Sequence, residues 1–276
     1  MNLCAFVFDF FFTIHCLDAI VMIDFFSVHD RLLEMAKSVC SILESHSIPY
    51  FISYGTLLGA IRHRGFIPWD DDLDIYLFDD SYDKAIAAIK QELPKRFFVE
   101  DKETEPLYFH GWAHVKDLNS HTVCDLFPQD NLYHCHGLCI DLYKATKIPR
   151  EQLELFQLKE RKAYLTRKLS SGFISQEDYS QKIAALDPQI ASLEKNEVRN
   201  PTDLIYGFMS LPGDYIDIND VFPLKRYQFE DTLFWGPNEP RGLLTRCYGN
   251  YMELPPEDKR HPHYSKVVFL DENSRP

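Results

Sequence analysis

Asp70, Asp71, Asp72 and Asp74 crowd the entrance to a β-branched, aromatic run, Leu73 to Phe78. Four carboxylates this close repel one another strongly unless a cation sits among them, and that limits how the neighbouring chain can fold. If Leu73 to Phe78 is a strand, Asp72 and Asp74 share one face while Leu73 and Ile75 point into a core. Asp71 has the opposite parity and reads as a loop or cap residue. Oxygen donors clustered without His or Cys suit Mg²⁺ or Mn²⁺ rather than zinc. A same-face pair of carboxylates at the mouth of a strand is what a metal-bound phosphate needs.

The patterning around this run predicts an α/β (α+β) chain. Leu32, Ala36, Val39 and Leu43, joined by Leu33 and Cys40, form an apolar stripe at helical spacing, with Ser27 as the expected cap and Pro49 beyond its end. Tyr50 to Ser53 reads as a short strand and Thr56 to Arg62 as one or two helical turns. A second helix follows Ser81, buries Ile86 and Ile89 and stops at Pro94. Phe97 to Glu100, Phe109 to Lys116 and Leu138 to Tyr143 are further expected strands. Glu151–Ser170 and Ser175–Lys195 read as two helices parted by Gly172, with Pro188 expected to break the second. The remainder mixes short strands, turns and one helix near Leu243 to Tyr248. Helices and strands alternate, which places the acidic motif on a sheet edge near the middle of the core.

Length allows one domain, 29–276, carrying a helical insert at 151–198, after an apolar extension at 1–28. Asp9, Asp18 and Asp24 interrupt that extension, so no uncharged run approaches the ~20 residues a bilayer demands, and no basic region marks a secretory signal. A second reading starts translation at Met22, and the intact mass of native protein separates the two. A net charge of −13 argues against a nucleic-acid-binding surface, although a metal can invert the field within one pocket. The seven cysteines are odd in number and include no CxxC pair, which reads as reduced thiols in a cytoplasmic protein, at most peripheral to a membrane.

Three blocks resemble a known family. YGTLLGAIRHRGFIPWDDDLDI is similar to the defining motif of the LicD family, which includes bacterial phosphocholine transferases and the fukutin-related proteins. HGLCIDLY, from His136 to Tyr143, resembles a later acidic segment, and RCYGNYMELPPEDKR, from Arg246 to Arg260, a C-terminal signature. The resemblance implies a nucleotidyltransferase-like mixed sheet core with flanking helices. It implies transfer of phosphocholine from a CDP-linked donor to a hydroxyl of a cell-surface glycan or lipid-linked glycan. Ribitol or another polyol phosphate is the alternative cargo. By the same resemblance Gly55 and Thr56 form the turn against the nucleotide phosphates, Asp72 and Asp74 hold the metal, Asp70 adds a ligand, and Asp141 is the third carboxylate. Asp125, which precedes a Phe-Pro as many family members do at this point, competes with Asp141.

Charge supplies the rest of the expected chemistry. A metal on Asp72 and Asp74 neutralises a pyrophosphate that otherwise repels an incoming hydroxyl. Arg62 and Arg64 are candidate phosphate clamps, and Lys116 and Lys225 candidate nucleotide contacts. The third carboxylate ligates metal or takes the proton of the attacking hydroxyl. If the alcohol is choline, its ammonium favours aromatic neighbours, with Trp69, Tyr76, Phe109, Trp112 and Trp235 as candidates. His134, Cys135, His136 and Cys139 do not have zinc spacing and read as polar and core residues. His261 and His263 read as a loop near the substrate, and Tyr248 and Gly249 equally as turn formers or as binding residues. Two other classes remain open: a metal-free relative that only binds a nucleotide or a protein, and a nucleotidyltransferase acting on a small acceptor.

Overall fold

The computed structural model describes residues 23–125, 127–195, 204–206 and 215–270. Most of the apolar extension, and with it the choice of start at Met1 or Met22, lies outside the described residues. Helix α1 (Phe25–Ser45) begins inside that extension, so the boundary after residue 28 cuts a helix rather than preceding one. Its cap is Asp24, not Ser27. The Asp24 carboxylate accepts from the Ser27 amide and hydroxyl at 3.5 and 2.6 Å, which turns the expected cap into its partner. Val28, Leu32, Met35, Ala36, Val39, Cys40 and Leu43 form the buried stripe. Burying each large aliphatic side chain contributes about 1.5–3 kcal/mol.

The chain continues through β1 (Tyr50–Ile52), α2 (Tyr54–Arg62), β2 (Leu73–Phe78), α3 (Tyr82–Glu92), β3 (Phe97–Glu100), β4 (Ala113–Asp117), β5 (Ser120–Cys124) and β6 (Cys139–Ile148). Strand β4 starts four residues later than expected. The Tyr108 hydroxyl donates to the Trp112 carbonyl at 2.7 Å, and Phe109 packs with Tyr108 and Tyr133 in a separate cluster, which keeps this stretch out of the sheet. Helices α4 (Leu153–Ser170) and α5 (Gln176–Leu193) follow as a hairpin with its own small core of Leu155, Leu165, Leu186 and Ile190. Pro188 sits inside α5 without ending it. Most of this helix is exposed, so water can satisfy the carbonyl that loses its partner.

The last third adds β7 (Leu204–Tyr206), β8 (Tyr215–Asp217), α6 (Ile218–Val221), β9 (Lys225–Phe229), β10 (Thr232–Gly236), α7 (Arg241–Tyr248) and β11 (Tyr264–Phe269). The main sheet is mixed, in the order β1-β2-β6-β4-β3, with β7 and β8 extending from the far half of β6. Only β2 and β6 run parallel; the other pairs in this sheet are antiparallel. The acidic strand β2 therefore lies between two partners, not at an edge as expected. Its six residues are all buried, which fits a strand covered on both faces. Strand β11 returns from the C-terminal region to pair with β5, and β9 and β10 form a hairpin. Among the described residues no helix is long and apolar enough to cross a membrane.

Candidate functional site

Strand register assembles the site. Asp74 lies opposite Asp141 in the β2–β6 pair, Asp141 opposite His114 in β6–β4, and His114 opposite Glu100 in β4–β3. Residues directly opposite one another share a face, so four ionisable side chains form one row across the sheet. The period of two adds Asp72, Cys139, Tyr143 and Lys116 to that face. Ser53, at the start of α2, donates its amide to the Asp74 carbonyl at 3.2 Å and continues the row beyond β1.

Asp72, Asp74 and Asp141 each offer an oxygen within 4.8 Å of the others. A second group, Asp70, Asp72 and His263, meets the same criterion and shares Asp72. Both lie on a cavity of about 720 Å³ whose walls also carry Gly55, Arg62, Trp69, Trp112, Lys116 and Tyr248. Asp125 is exposed and lies outside that lining, so of the two competing third carboxylates only Asp141 reaches the cluster.

Electrostatics follow from this crowding. Burial, then the neighbouring charge of Asp72, drives Asp70 and Asp74 well above the usual carboxylate range. Burial also pushes Asp72 up to about 6, against the pull of His263. Asp141 goes the other way. Burial opposes its ionisation, but His114 and Trp112 outweigh it and lower its value. Trp112 Nε1 donates to Asp141 Oδ1 at 2.5 Å, and His114 Nε2 lies 3.1 Å from the same oxygen. The other ring nitrogen of His114 lies 3.1 Å from Glu100 Oε2. With a carboxylate at each nitrogen, the imidazole carries both hydrogens. Burial works against that charge, yet Asp141 and Glu100 raise His114 to about 9.

Several expected residues have other tasks. The Thr56 hydroxyl is buried and accepts the Asp74 amide at 2.7 Å, fixing the acidic strand instead of facing the cavity. Gly55 does line the cavity, and a Cβ there would sit 2.5 Å from Asp70 Oδ2, so glycine makes room for that carboxylate. Arg62 reaches the cavity but donates to the Tyr251 and Glu253 carbonyls at 2.9 and 3.3 Å, bracing the C-terminal wall. Arg64 is not brought to the cavity. It is exposed at φ 60°, where its carbonyl accepts from Glu230. Lys225 pairs with Glu239 and the Asn238 carbonyl on the surface.

Of the aromatic candidates, Trp69 and Trp112 line the cavity, together with Tyr54, Tyr143 and Tyr248. Tyr76, Phe109 and Trp235 do not. Trp235 instead stacks under Arg226, 4.0 Å from guanidinium to ring centre.

Residues 47–165 match the family described as LicD/FKTN/FKRP, nucleotidyltransferase domain. Over this stretch the chain is similar to a LicD-family domain. The Haemophilus influenzae lipopolysaccharide cholinephosphotransferase LicD is 25% identical over 259 residues, 87% of this chain and 94% of that protein. An uncharacterized Rickettsia prowazekii protein is 52% identical over 247 residues, and the chain spans 61% of its length. The human ribitol 5-phosphate transferase FKRP is 36% identical over 101 residues, 35% of this chain and 20% of that protein.

The LicD match holds every member of the polar row, yet the cavity is closed by residues outside it. Asp71, fully buried, accepts from the His263 amide and Nδ1 and from the Tyr264 amide, each at 2.9 Å. That clamp pins the start of β11 and leaves His263 Nδ1 3.4 Å from Asp72 Oδ2. Asp72 first of all raises the His263 imidazole well above its ordinary value, against burial. His114 and Glu100 carried no signal in the sequence. Glu100 ends an apolar strand and His114 shares β4 with Lys116 and Asp117, and only register links the two to the LicD acidic motif.

Proposed function

We infer that this chain transfers a phospho-alcohol from a CDP-linked donor to a hydroxyl of a glycan acceptor, with Mg²⁺ or Mn²⁺ at the acidic cluster. The observation that carries this reading is the meeting of Asp72, Asp74 and Asp141 within 4.8 Å on a LicD domain cavity. The donor set fits such an ion. It is all oxygen, and burial together with mutual repulsion pushes Asp70, Asp72 and Asp74 towards their protonated forms, a cost that a divalent cation relieves. Asp72, Asp74 and Asp141 would hold it, with Asp70 alongside. When bound, the ion supplies charge neutralisation of the donor phosphates.

The chain's own residues do the remaining work. Tyr54 and Gly55 bring the N-terminus of α2 to the cavity, where a helix end favours anionic oxygens. Trp112 and His114 occupy one oxygen of Asp141, which leaves Oδ2 for the ion or for the proton of the attacking hydroxyl. Trp69, Trp112, Tyr54, Tyr143 and Tyr248 give the cavity aromatic faces of the kind that hold a quaternary ammonium, and this favours phosphocholine as the group transferred. The similarity to a ribitol 5-phosphate transferase supports a second reading, polyol-phosphate transfer from the same cluster.

Incubating the protein with Mg²⁺, an acceptor glycan and either CDP-choline or CDP-ribitol, then following acceptor-dependent CMP release, tests both. Turnover with CDP-choline is expected to exceed that with CDP-ribitol. The reverse order selects the second reading, and no CMP release from any CDP-alcohol refutes both.

A further inference from the structure

Lys116 is a charged side chain that the cavity buries without using up its donors. The residue is 5% exposed, yet it lines the cavity wall. Among the described residues its nearest carboxylate oxygen is Glu100 Oε2 at 4.0 Å, beyond hydrogen-bond reach, and its ammonium makes no hydrogen bond. An ammonium held in a cavity wall, with its nearest carboxylate no closer than 4.0 Å, keeps its donors free for an acceptor that enters the cavity.

The strand order says which half of the cavity that site serves. Gly55 and α2 follow β1 on one side of the acidic cluster, whereas Lys116 stands on β4, beyond β6, on the other. Lys116 pairs with Cys139, and Cys139 is one residue before the Leu73–Ile140 pairing, so Lys116 is two strand spacings, about 10 Å, from Asp72. In phosphoryl transfer the attacking and leaving oxygens lie roughly in line. If the donor's leaving nucleotide rests towards α2, the attacking hydroxyl enters from the β4 side, where Asp141 is the last carboxylate before His114 and Lys116.

We propose that Lys116 forms an acceptor subsite for an anionic sugar, its ammonium binding a phosphate or carboxylate carried by the glycan beside the attacked hydroxyl. This rests on the transferase reading above and adds the charge of the acceptor to it. Glu100 then serves as the buried counter-ion that keeps Lys116 and His114 in place when the subsite is empty.

The test is calorimetric titration of the full chain with glucose, glucose 6-phosphate and glucuronate, each with and without saturating CMP and Mg²⁺. At least one charged sugar is expected to bind about tenfold or more tightly than glucose, with CMP already bound. Which of the two does so separates phosphate from carboxylate. Lys116→Met is expected to abolish the preference while leaving CMP affinity within about twofold, and Lys116→Arg to retain it. A native circular dichroism spectrum together with retained CMP affinity in Lys116→Met guards against misfolding as the cause. Equal binding of all three sugars by the wild type overturns the proposal. So does a Lys116→Met variant that weakens CMP and leaves the sugars alone, because the ammonium then belongs to the donor. Absence of CMP binding in the wild type counts against the transferase reading, while the sugar titrations without CMP still decide the role of Lys116.

Discussion

Asp71→Ala should unfasten the C-terminal wall of the cavity, and the size of the effect can be worked from three hydrogen bonds. The carboxylate is fully buried and takes the His263 amide, the His263 ring and the Tyr264 amide. Hydrogen bonds to a charged acceptor are worth about 1.5–3 kcal/mol each, and a buried donor left unmade costs about 1–3 kcal/mol. The Tyr264 amide hydrogen bond is buried, while the His263 side chain is 39% exposed and can be rehydrated. The net loss should be roughly 3–5 kcal/mol. At about 2–4 °C per kcal/mol for a domain of this size, the melting temperature should fall by roughly 6–20 °C. Strand β11 is otherwise held by β5, so part of the loss should be local, and amide exchange over 264–269 should accelerate more than in β2. Asp71→Asn keeps one acceptor oxygen and should lose about half as much. A melting temperature within about 2 °C of wild type, with unchanged exchange in β11, would refute the clamp.

Asp72→Asn or Asp74→Asn should lower turnover at least about a hundredfold in the CMP-release assay while circular dichroism stays native, since each removes a carboxylate that would hold the ion against the donor phosphates. Gly55→Ala should cost activity more than stability, because its Cβ would displace the Asp70 carboxylate; Mn²⁺ affinity by electron paramagnetic resonance should drop by roughly tenfold. Asp72 has its value raised from 3.8 to about 6, so the folded state binds the proton more tightly than the unfolded state. Metal-free protein should therefore lose roughly 2–3 kcal/mol as pH rises from about 4 through 6, and urea midpoints with saturating Mg²⁺ should flatten that slope. His114, raised to about 9, contributes stability that is complete below its ordinary value and lost as pH rises through 9; the same titrations at pH 7–10 should show it.

The sequence alone determined the local pieces. Period and capping chemistry act over a few residues, so the apolar stripe of α1, the six residues of β2 and the hairpin of α4 and α5 could be read directly. The acidic motif was legible for the same reason: Asp72 directly precedes β2 and Asp74 is its second residue, and their shared face needs no distant partner. Where a competing contact came from far along the chain, local reading missed, as when the Phe109 cluster delayed the start of β4.

Only the tertiary structure decided what stands beside that pair. Asp141 over Asp125 is a matter of parallel register between strands whose paired positions lie 67 residues apart. His114 and Glu100 enter through two further pairings, and His263 through a clamp 192 residues from Asp71. Register and long-range hydrogen bonds depend on which strands meet, and that is fixed by burial of the whole core rather than by any neighbouring residue. Thr56 and Arg62 show the converse. Their positions in the motif were plain, but which side chain faces the cavity and which holds the scaffold depended on the atoms they met after folding.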